Sequence, residues 1–290
     1  MIKYFFYLLF TPFLSFAQTT FSGKIIDQRS RIGVPYASIG LMKANVGINA
    51  DELGVFVLQT AKSVAKDTLI VSCMGYETQK LPVDKFEQLS IELTEKNNVL
   101  PEVKINKNNW TSLTLNDFRT TTNNSLVSSG YSTQAADLFE APEENSILKS
   151  VKIGLGHDIF SDNKTMFRIR VYDQDKIKNA PGQSLCNDII EVKTSKKITS
   201  VDLTAYNIMI PNKIFFVAIE WLYIPYNQRI SEATTRGNKA KQQHISYRPF
   251  ISMRPIKETG TNDTWGFFPS QNMWHKMEFG SLMMAATIQY

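Results

Sequence analysis

The residues best spaced for hydrolytic chemistry lie near the end of the sequence. His275 and Glu278 are separated by two residues, a spacing with which zinc hydrolases place two of their metal ligands. A catalytic zinc ion needs three protein ligands and one open position. No histidine follows Glu278 to supply the third ligand, so we predict neither a zinc site nor any other cofactor.

Glu220 is a second candidate, because it interrupts the apolar run 215–221. A carboxylate in such a run must be paired or hydrogen-bonded if it is buried. It could bind a sugar hydroxyl or a cation, with Trp221 as a stacking neighbour. It could equally form a structural salt bridge with Arg168 or Arg170, and the sequence leaves both interpretations open.

A glycan hydrolase would need more than Glu220. Glycosidases place two carboxyl groups on either side of the scissile bond, at separations below about 10 Å. Asp202 and Glu278 are the suggestive partners, but the sequence does not place them in space. A glycan-acting hydrolase that uses Glu220 therefore stands as an alternative to a non-catalytic protein.

Asp173 and Asp175 directly follow a predicted strand. Paired carboxylates in a loop can hold Ca²⁺ together with backbone carbonyls. The same residue types are also typical of turns, and the EF-hand pattern is absent. The pair is a calcium candidate with a simple turn as its alternative.

Aromatic and cationic side chains are concentrated in the segments 225–250 and 265–274, which we predict to be loops. Aromatic rings near cations suit stacking against a sugar ring or a partner protein. Rings under long loops can also simply fill the core. The ligand-binding candidates are Tyr226, Tyr247, Arg248, Trp265, Phe267 and Trp274, together with Glu220.

Residues 18–95 are predicted to consist of short strands joined by turns. Runs of β-branched and aromatic residues recur here and are separated by turn residues. Asp51 and Gly54 have hairpin chemistry, because Asp can bond its own backbone and Gly can adopt a positive φ. No helical period competes with the strands, so we expect an all-β sandwich.

Four ordered blocks in this region carry a resemblance to a known family. They are Gly23-Lys24-Ile25-Ile26-Asp27, Val34-Pro35-Tyr36-Ala37-Ser38-Ile39, Asp51-Glu52-Leu53-Gly54-Val55-Phe56 and Asp67-Thr68-Leu69-Ile70-Val71-Ser72-Cys73-Met74-Gly75-Tyr76-Glu77. The region resembles the carboxypeptidase regulatory-like domain, a transthyretin-like sandwich common in exported proteins of Bacteroidetes-type bacteria. The resemblance implies a structural or docking module without catalytic residues of its own.

Residues 96–145 are predicted to be a linker. Asn, Ser and Thr are frequent at 106–109 and 120–129, which is typical of loops. The segment 134–139 could form one short helical turn, which Pro142 would prevent from extending.

Residues 146–290 regain β character and are predicted to form a second, jelly-roll-like sandwich. The segment 167–172 alternates and predicts a half-buried strand with a basic outer face that carries Arg168 and Arg170. The run 214–222 is mostly apolar on both faces and predicts a central strand. The segment 167–172, followed by Asn179-Ala180-Pro181-Gly182, resembles carbohydrate-binding-like jelly rolls by analogy.

The first 17 residues predict export. Lys3 is followed by an uncharged run rich in Phe and Leu, and small residues occupy the two positions that a signal peptidase reads. The run is shorter than the about 20 residues that a membrane span needs. We therefore expect a periplasmic, outer-membrane or cell-surface location. Export permits disulfides, but Cys73 and Cys186 lie in different predicted domains and are expected to be reduced.

Charge is unevenly divided between the two halves. Residues 146–290 contain 19 Lys and Arg against 12 Asp and Glu. A basic face could associate peripherally with the outer membrane, meet an acidic glycan or an acidic partner, or simply be solvated. We predict no nucleic-acid binding, because the sequence shows no nucleic-acid motif.

These features together predict an exported, non-catalytic β protein of two domains. Its C-terminal loops would contact an envelope glycan or an envelope protein. Besides the hydrolase that uses Glu220, a purely structural envelope scaffold is an alternative, and it predicts no concave site.

Overall fold

The computed structural model of the chain describes residues 19–83, 89–96, 109–128, 134–156, 163–234, 241–255, 263–268, 273–278 and 280–290. Within these ranges it contains 23 strands and two single-turn 3-10 helices, Thr204–Tyr206 and Pro225–Asn227. The all-β prediction is confirmed. None of the helices in these ranges has the length and apolar character needed to span a membrane. The predicted signal peptide lies outside the described residues.

Seven strands form the N-terminal domain. They are β1 (Thr19–Asp27), β2 (Ser38–Leu41), β3 (Val46–Asn49), β4 (Val55–Thr60), β5 (Thr68–Ser72), β6 (Gln79–Pro82) and β7 (Leu89–Leu93). They make two sheets, in the orders β4-β1-β7 and β3-β2-β5-β6. Ile25, Ile39 and Leu69 are fully buried in one apolar core to which both sheets contribute, as the predicted sandwich requires.

The turn at 51–54 joins the two sheets. The Asp51 carboxylate accepts hydrogen bonds from the backbone N–H groups of Leu53 and Val55, at 2.9 and 2.8 Å. Gly54 has a φ of 78°, so the predicted turn chemistry is present. The predicted hairpin is wrong, because β3 pairs with β2 while β4 pairs with β1 in the opposite sheet.

The C-terminal half contributes the other strands. They are β8 (Ser112–Leu115), β9 (Ser125–Ser128), β10 (Gln134–Glu140), β11 (Ser146–Gly154), β12 (Thr165–Asp175), β13 (Ala180–Ser184), β14 (Ile190–Thr194), β15 (Ile198–Asp202), β16 (Ile208–Ile210), β17 (Ile214–Trp221), β18 (Gln228–Thr234), β19 (Lys241–Arg254), β20 (Thr264–Phe268), β21 (Met273–Lys276), β22 (Ser281–Leu282) and β23 (Met284–Gln289).

These strands form three sheets around one core. The seven-stranded sheet has the order β13-β12-β17-β10-β20-β21, with β14 also paired to β12. The five-stranded sheet has the order β15-β11-β23-β8, with β16 on β11, and the four-stranded sheet has the order β18-β19-β22, with β9 on β19. Phe167, Ile153 and Ile251 bring the three sheets together in a shared core. The predicted central strand is confirmed, since β17 lies between β12 and β10.

Residues 134–140 form a strand, so the predicted helical turn is wrong. Ala135 and Phe139 enter the core, whereas Ala136 and Leu138 face the other side of the sheet. Ala and Leu favour helices locally, but pairing with β17 and β20 on both edges decides the structure. Because β8 and β9 also pair with later strands, this part of the predicted linker belongs to the C-terminal sheets.

The predicted basic outer face of β12 is not exposed to solvent. Arg168 and Arg170 are only 1% and 4% exposed. Nη2 of Arg168 donates a hydrogen bond to the Pro35 carbonyl of the N-terminal domain at 3.0 Å, and its guanidinium lies 5.4 Å from the centre of the Tyr36 ring. The N-terminal domain therefore covers this face of β12, which the alternation of the sequence had predicted to be exposed to solvent.

Candidate functional site

A cleft lies where the two domains meet. Its volume is about 580 Å³, which is typical of a ligand-binding site. The N-terminal domain contributes Tyr36, the turn residues 51–53 and the beginning of β4. The C-terminal domain contributes Pro225 and Tyr226 of the 3-10 turn, together with Lys193 of β14, Gln228 of β18 and Tyr247 of β19. The scaffold alternative predicted no concave site, whereas the described residues do form one.

Four tyrosines line the cleft. Tyr36 comes from the N-terminal domain, and Tyr223, Tyr226 and Tyr247 come from the C-terminal domain. The rings of Tyr223 and Tyr247 are 4.5 Å apart and tilted by 53°. Tyr226 is 37% exposed and is the most accessible of the four. Nζ of Lys193 lies 4.9 Å from the centre of the Tyr226 ring, so a cation and an aromatic face stand together at the cleft.

Asn227 fixes the segment that carries Tyr226. Its fully buried side chain accepts a hydrogen bond from the Met166 N–H at 2.8 Å. Its Nδ2 donates to the carbonyls of Met166 and Leu222, at 2.6 and 2.8 Å. These bonds tie the 3-10 turn to β12 and to the end of β17. Buried contacts therefore set the position of Tyr226, although it lies between strands.

Asn49 connects the two walls of the cleft. Its Nδ2 donates to the Tyr36 carbonyl at 2.9 Å, and its Oδ1 accepts from the Tyr223 N–H at 2.8 Å. The Tyr223 hydroxyl is hydrogen-bonded in turn to Ser128. One buried side chain thus forms hydrogen bonds on both sides of the cleft.

Burial keeps the hydroxyls of Tyr36 and Tyr247 protonated. It raises the pKa of Tyr36 to about 12, and the nearby carboxylates of Glu191 and Glu52 add to the shift. Burial also raises the pKa of Tyr247. These groups are neutral hydrogen-bonding partners over the physiological pH range and are unsuited to act as general bases.

Glu220 lies near the domain interface as the partner of Arg170. Nε and Nη2 of Arg170 contact Oε2 of Glu220 at 2.6 and 2.5 Å, and both side chains are buried. Burial alone would lower the pKa of Arg170, but the charge of Glu220 raises it. Glu220 therefore forms the structural salt bridge that was one of its two interpretations.

Trp221 does not stack beside Glu220, so that expectation is wrong. Successive strand residues face opposite sides of a sheet. Trp221 points into the core, where its Nε1 donates to the Pro249 carbonyl at 2.7 Å. Asp202 is on β15 in the five-stranded sheet, and Glu278 follows β21, three strands away from β17. The fold therefore does not bring a second carboxyl from either residue to Glu220.

Three of the predicted ligand-binding residues come together. Tyr226 and Tyr247 line the cleft, and Nη2 of Arg248 donates to the Tyr226 carbonyl at 3.0 Å. The sequence analysis missed Tyr36 and Lys193. Tyr36 stood in a block identified only for its resemblance, and Lys193 lies on a strand whose distance from Tyr226 depends on the tertiary fold.

Trp265, Phe267 and Trp274 form a separate cluster on the outer face of the seven-stranded sheet. They lie on β20 and β21 rather than in the predicted loops. The Trp274 ring is 5.5 Å from Tyr172 and 5.2 Å from Phe267, and the Trp265 ring is 6.4 Å from Phe216. The cluster packs over the sheet and does not line the cleft, and its role in binding stays a prediction.

Asp173 and Asp175 shape the β12–β13 hairpin. Asp173 accepts a hydrogen bond from the Gln183 N–H at 2.5 Å, and Asp175 accepts from the N–H groups of Ile177 and Lys178 at 3.0 and 3.2 Å. In the described ranges, no cluster of three or more His, Cys, Asp or Glu is placed to hold a metal ion. The turn interpretation accounts for both carboxylates.

Neither cysteine forms a disulfide. Cys73 is partly exposed and Cys186 is buried, and both are free thiols. Burial raises the pKa of each thiol. A nucleophilic cysteine has a lowered pKa instead, so these two residues are better explained as part of the packing.

Residues 21–105 match the family model of the CarboxypepD_reg-like domain. The match confirms the resemblance of the four blocks to this domain family, which is non-catalytic. The matched domain supplies one wall of the cleft. No curated protein matches the chain.

Two solved structures show remote similarity. A DUF3823 family protein from Bacteroides ovatus is 10% identical, with 81% of this chain and 97% of that chain covered, at a TM-score of 0.22. The structure of infectious bursal disease virus, Gx strain, is 11% identical, with 94% of this chain and 60% of that chain covered, at a TM-score of 0.23. At these TM-scores the similarity supports no conclusion about fold or function.

Proposed function

We propose that the protein is an exported, non-catalytic binding protein of the cell envelope, and that the cleft between its domains holds an envelope protein or glycan. The observation that carries the proposal is the cleft of about 580 Å³ lined by four tyrosines. The residues with signal-peptide character support export to the periplasm, the outer membrane or the cell surface. The net positive charge of residues 146–290 would favour an anionic envelope surface.

The buried hydrogen bonds around the cleft support a binding role. Asn49 holds the two walls together, and Asn227 holds the turn that presents Tyr226. A preorganised site loses little conformational entropy when its ligand binds. The tyrosine rings offer large contact surfaces with few rotatable bonds. The arrangement therefore suits recognition of a partner surface or a chain-like ligand.

The carboxylates near the cleft support binding rather than hydrolysis. Glu220 is buried against Arg170. Asp51 accepts hydrogen bonds from its own turn, and Glu52 lies beside the Tyr36 hydroxyl. Each acid thus has a structural partner, whereas a glycosidase needs two carboxyl groups facing a common substrate.

The test is capture of a ligand from an envelope extract by the chain from Gln18 to Tyr290. The Tyr226→Ala variant removes the most accessible ring of the cleft, and Phe268→Ala removes a ring of similar exposure on β20. We expect loss of the captured ligand with Tyr226→Ala only. Equal capture by both variants, after circular dichroism shows that both fold, would exclude the cleft as the binding site.

A further inference from the structure

Strand β4 is an edge strand that borders the cleft. Among the described residues it pairs only with β1. The side chains of Val55 and Val57 line the cleft and are 40% and 54% exposed. Phe56 and Leu58 alternate with them and are buried in the N-terminal core. The exposed face of β4 is therefore apolar where it meets the cleft.

The free edge of β4 carries backbone hydrogen-bonding groups that point away from β1. At Val55 these groups bond to Asp51, since the Val55 N–H donates to Oδ1 and the Val55 carbonyl accepts from the Asp51 N–H, both at 2.8 Å. In an antiparallel pair the bonding direction alternates with each residue. Val57 and Gln59 therefore point the same way as Val55, and their backbone groups have no partner on that edge within the described ranges.

This edge lacks the usual protection against strand addition. Natural edge strands are blunted by charged residues, prolines or bulges. The β4 segment, Val-Phe-Val-Leu-Gln-Thr, contains neither a charge nor a proline, and its register with β1 is continuous from Thr60 to Val55. An unprotected edge at a concave site indicates a place where another strand binds.

The C-terminal wall of the cleft also carries exposed apolar side chains. Ile230 and Ile245 are paired across β18 and β19 and are 59% and 42% exposed. They lie two residues from Gln228 and Tyr247, which line the cleft, so all four share one face of the hairpin. An apolar strip thus leads from the cleft along the hairpin.

Two polar side chains of the N-terminal wall are already hydrogen-bonded within the protein. Asn49 uses both its Nδ2 and its Oδ1 to join the domains, and Asp51 is engaged by its turn. Recognition of sugar hydroxyls requires available side-chain donors and acceptors. What the N-terminal wall offers is the backbone edge of β4 and two valines, which suits a polypeptide better than a glycan.

Lys193 places a positive charge at the cleft. Its ammonium group lies over the Tyr226 ring at the cleft, and it has no carboxylate partner among the described residues. A ligand with an acidic group at this position would complement it.

We propose that the ligand of the cleft is an extended segment of a partner protein that adds to the free edge of β4 as a new strand. Its alternate apolar side chains lie between Val57 and the tyrosines, and an acidic residue meets Lys193. The inference rests on the proposed function and specifies the chemistry of the ligand at the same site.

The test distinguishes binding to the backbone edge of β4 from binding to the Val57 side chain. Val57→Pro removes an N–H that points away from β1 and so leaves the β1 ladder intact, whereas Val57→Thr retains the N–H and the branched shape. The probe is a displayed library of random peptides selected on the full chain, followed by synthesis of the enriched peptides. We expect sequences of alternating apolar residues with an acidic residue, binding at least about tenfold more weakly to Val57→Pro and within about twofold to Val57→Thr.

Three further measurements make the result decisive. N-methylation of alternate peptide bonds in an enriched peptide must abolish binding, and the peptide must slow amide exchange at Val57 and Gln59. Lys193→Gln should weaken the acidic peptide but not its Asn analogue. If Val57→Pro does not fold, Gln59→Pro replaces it at the next N–H of the same edge.

The outcomes distinguish the two proposals. If envelope capture is lost with Tyr226→Ala but is unchanged with Val57→Pro, the cleft binds its ligand without strand addition, as a glycan would, and the inference is overturned while the proposed function stands. If neither variant changes capture, both fail. Self-association that Val57→Pro abolishes would identify a second copy of the chain as the added strand and would overturn the assignment to a partner protein.

Discussion

At the scale of single residues, Asp137 is an acid placed inside the C-terminal core. Its Oδ1 lies 2.7 Å from the Thr264 hydroxyl, which also lies 2.8 Å from the Gly280 carbonyl. One hydroxyl has one proton to donate. If Thr264 donates it to Gly280, Asp137 must be protonated and donate to Thr264. Burial raises the pKa of Asp137 to about 7, in agreement with a protonated carboxyl.

We predict that stability falls as pH rises because of Asp137. The pKa of this group is 3.8 in the reference state and about 7 in the folded state, so the folded chain binds the additional proton between these values. Its contribution is complete below pH 3.8 and is lost as pH rises through 7, with each pKa unit equivalent to about 1.4 kcal/mol. Urea unfolding between pH 5 and 8 measures the slope.

The matched variant for this prediction is Asp137→Asn. It has no titrating proton, and its amide oxygen can still accept from the Leu282 N–H that bonds Asp137 at 3.2 Å. The difference in unfolding free energy between wild type and variant should change over the same pH interval. A constant difference would show that Asp137 does not titrate there.

We predict that Glu220→Gln is strongly destabilising. The substitution leaves the guanidinium of Arg170 buried without its counter-charge, which typically costs about 3–5 kcal/mol. Asp117→Asn removes the acid of the more exposed pair with Lys152 and should cost much less. Denaturant titration compares the two variants. A similar small loss for both would mean that the buried pair contributes little.

The partner of Glu220 shows how far residue-level prediction reaches. Because Glu220 lies in an apolar run, the sequence predicted that its carboxylate is paired if it is buried. Arg168 and Arg170 were the two candidate salt-bridge partners. The cross-strand register places Arg168 directly opposite Glu220, yet the ion pair forms with Arg170. The contact of Arg168 with Pro35 involves the other domain, and no local sequence pattern contains that information.

At the scale of elements, Asn227 holds together three pieces of chain that form the C-terminal wall. We predict that Asn227→Ala lowers the unfolding free energy by about 3 kcal/mol, because it leaves the polar groups of Met166 and Leu222 buried without a partner. Ligand binding should weaken as well, since the turn carrying Tyr226 loses its anchor. Gln183→Ala replaces an exposed amide and is the control. An Asn227→Ala protein with unchanged stability would contradict this role.

Strands were predicted correctly where the pattern of apolar residues in the sequence matches the burial of the segment in the structure. The mostly apolar run 214–222 corresponds to the central strand β17, in which seven of the eight residues are buried. Prediction failed for Gln134–Glu140, since the partners that make this segment a strand are far away in sequence. It also failed for the β3–β4 connection, because a turn motif does not reveal whether its flanking strands pair or separate into two sheets.

At the scale of the whole molecule, the cleft exists because the two domains are joined by buried polar contacts. Asn49 bonds to Tyr223 across the interface, and Arg168 bonds to Pro35 in the opposite direction. Neither the four family blocks nor the aromatic segments could predict the cleft alone, since each supplies only one wall. The sequence suggested two domains, but their docking depends on surfaces that only the folded domains present.

The last prediction concerns this docking. We expect the two domains of the wild-type chain to unfold in a single cooperative transition, with equal calorimetric and van't Hoff enthalpies. Asn49→Ala removes hydrogen bonds to Tyr36 and Tyr223 that lie on either side of the interface, so it should separate the transition into two. Gln59→Ala changes an exposed residue of β4 outside the interface and should retain one transition. Two separate transitions in the wild type would show that the domains are independent, and the cleft between them would then not be rigid.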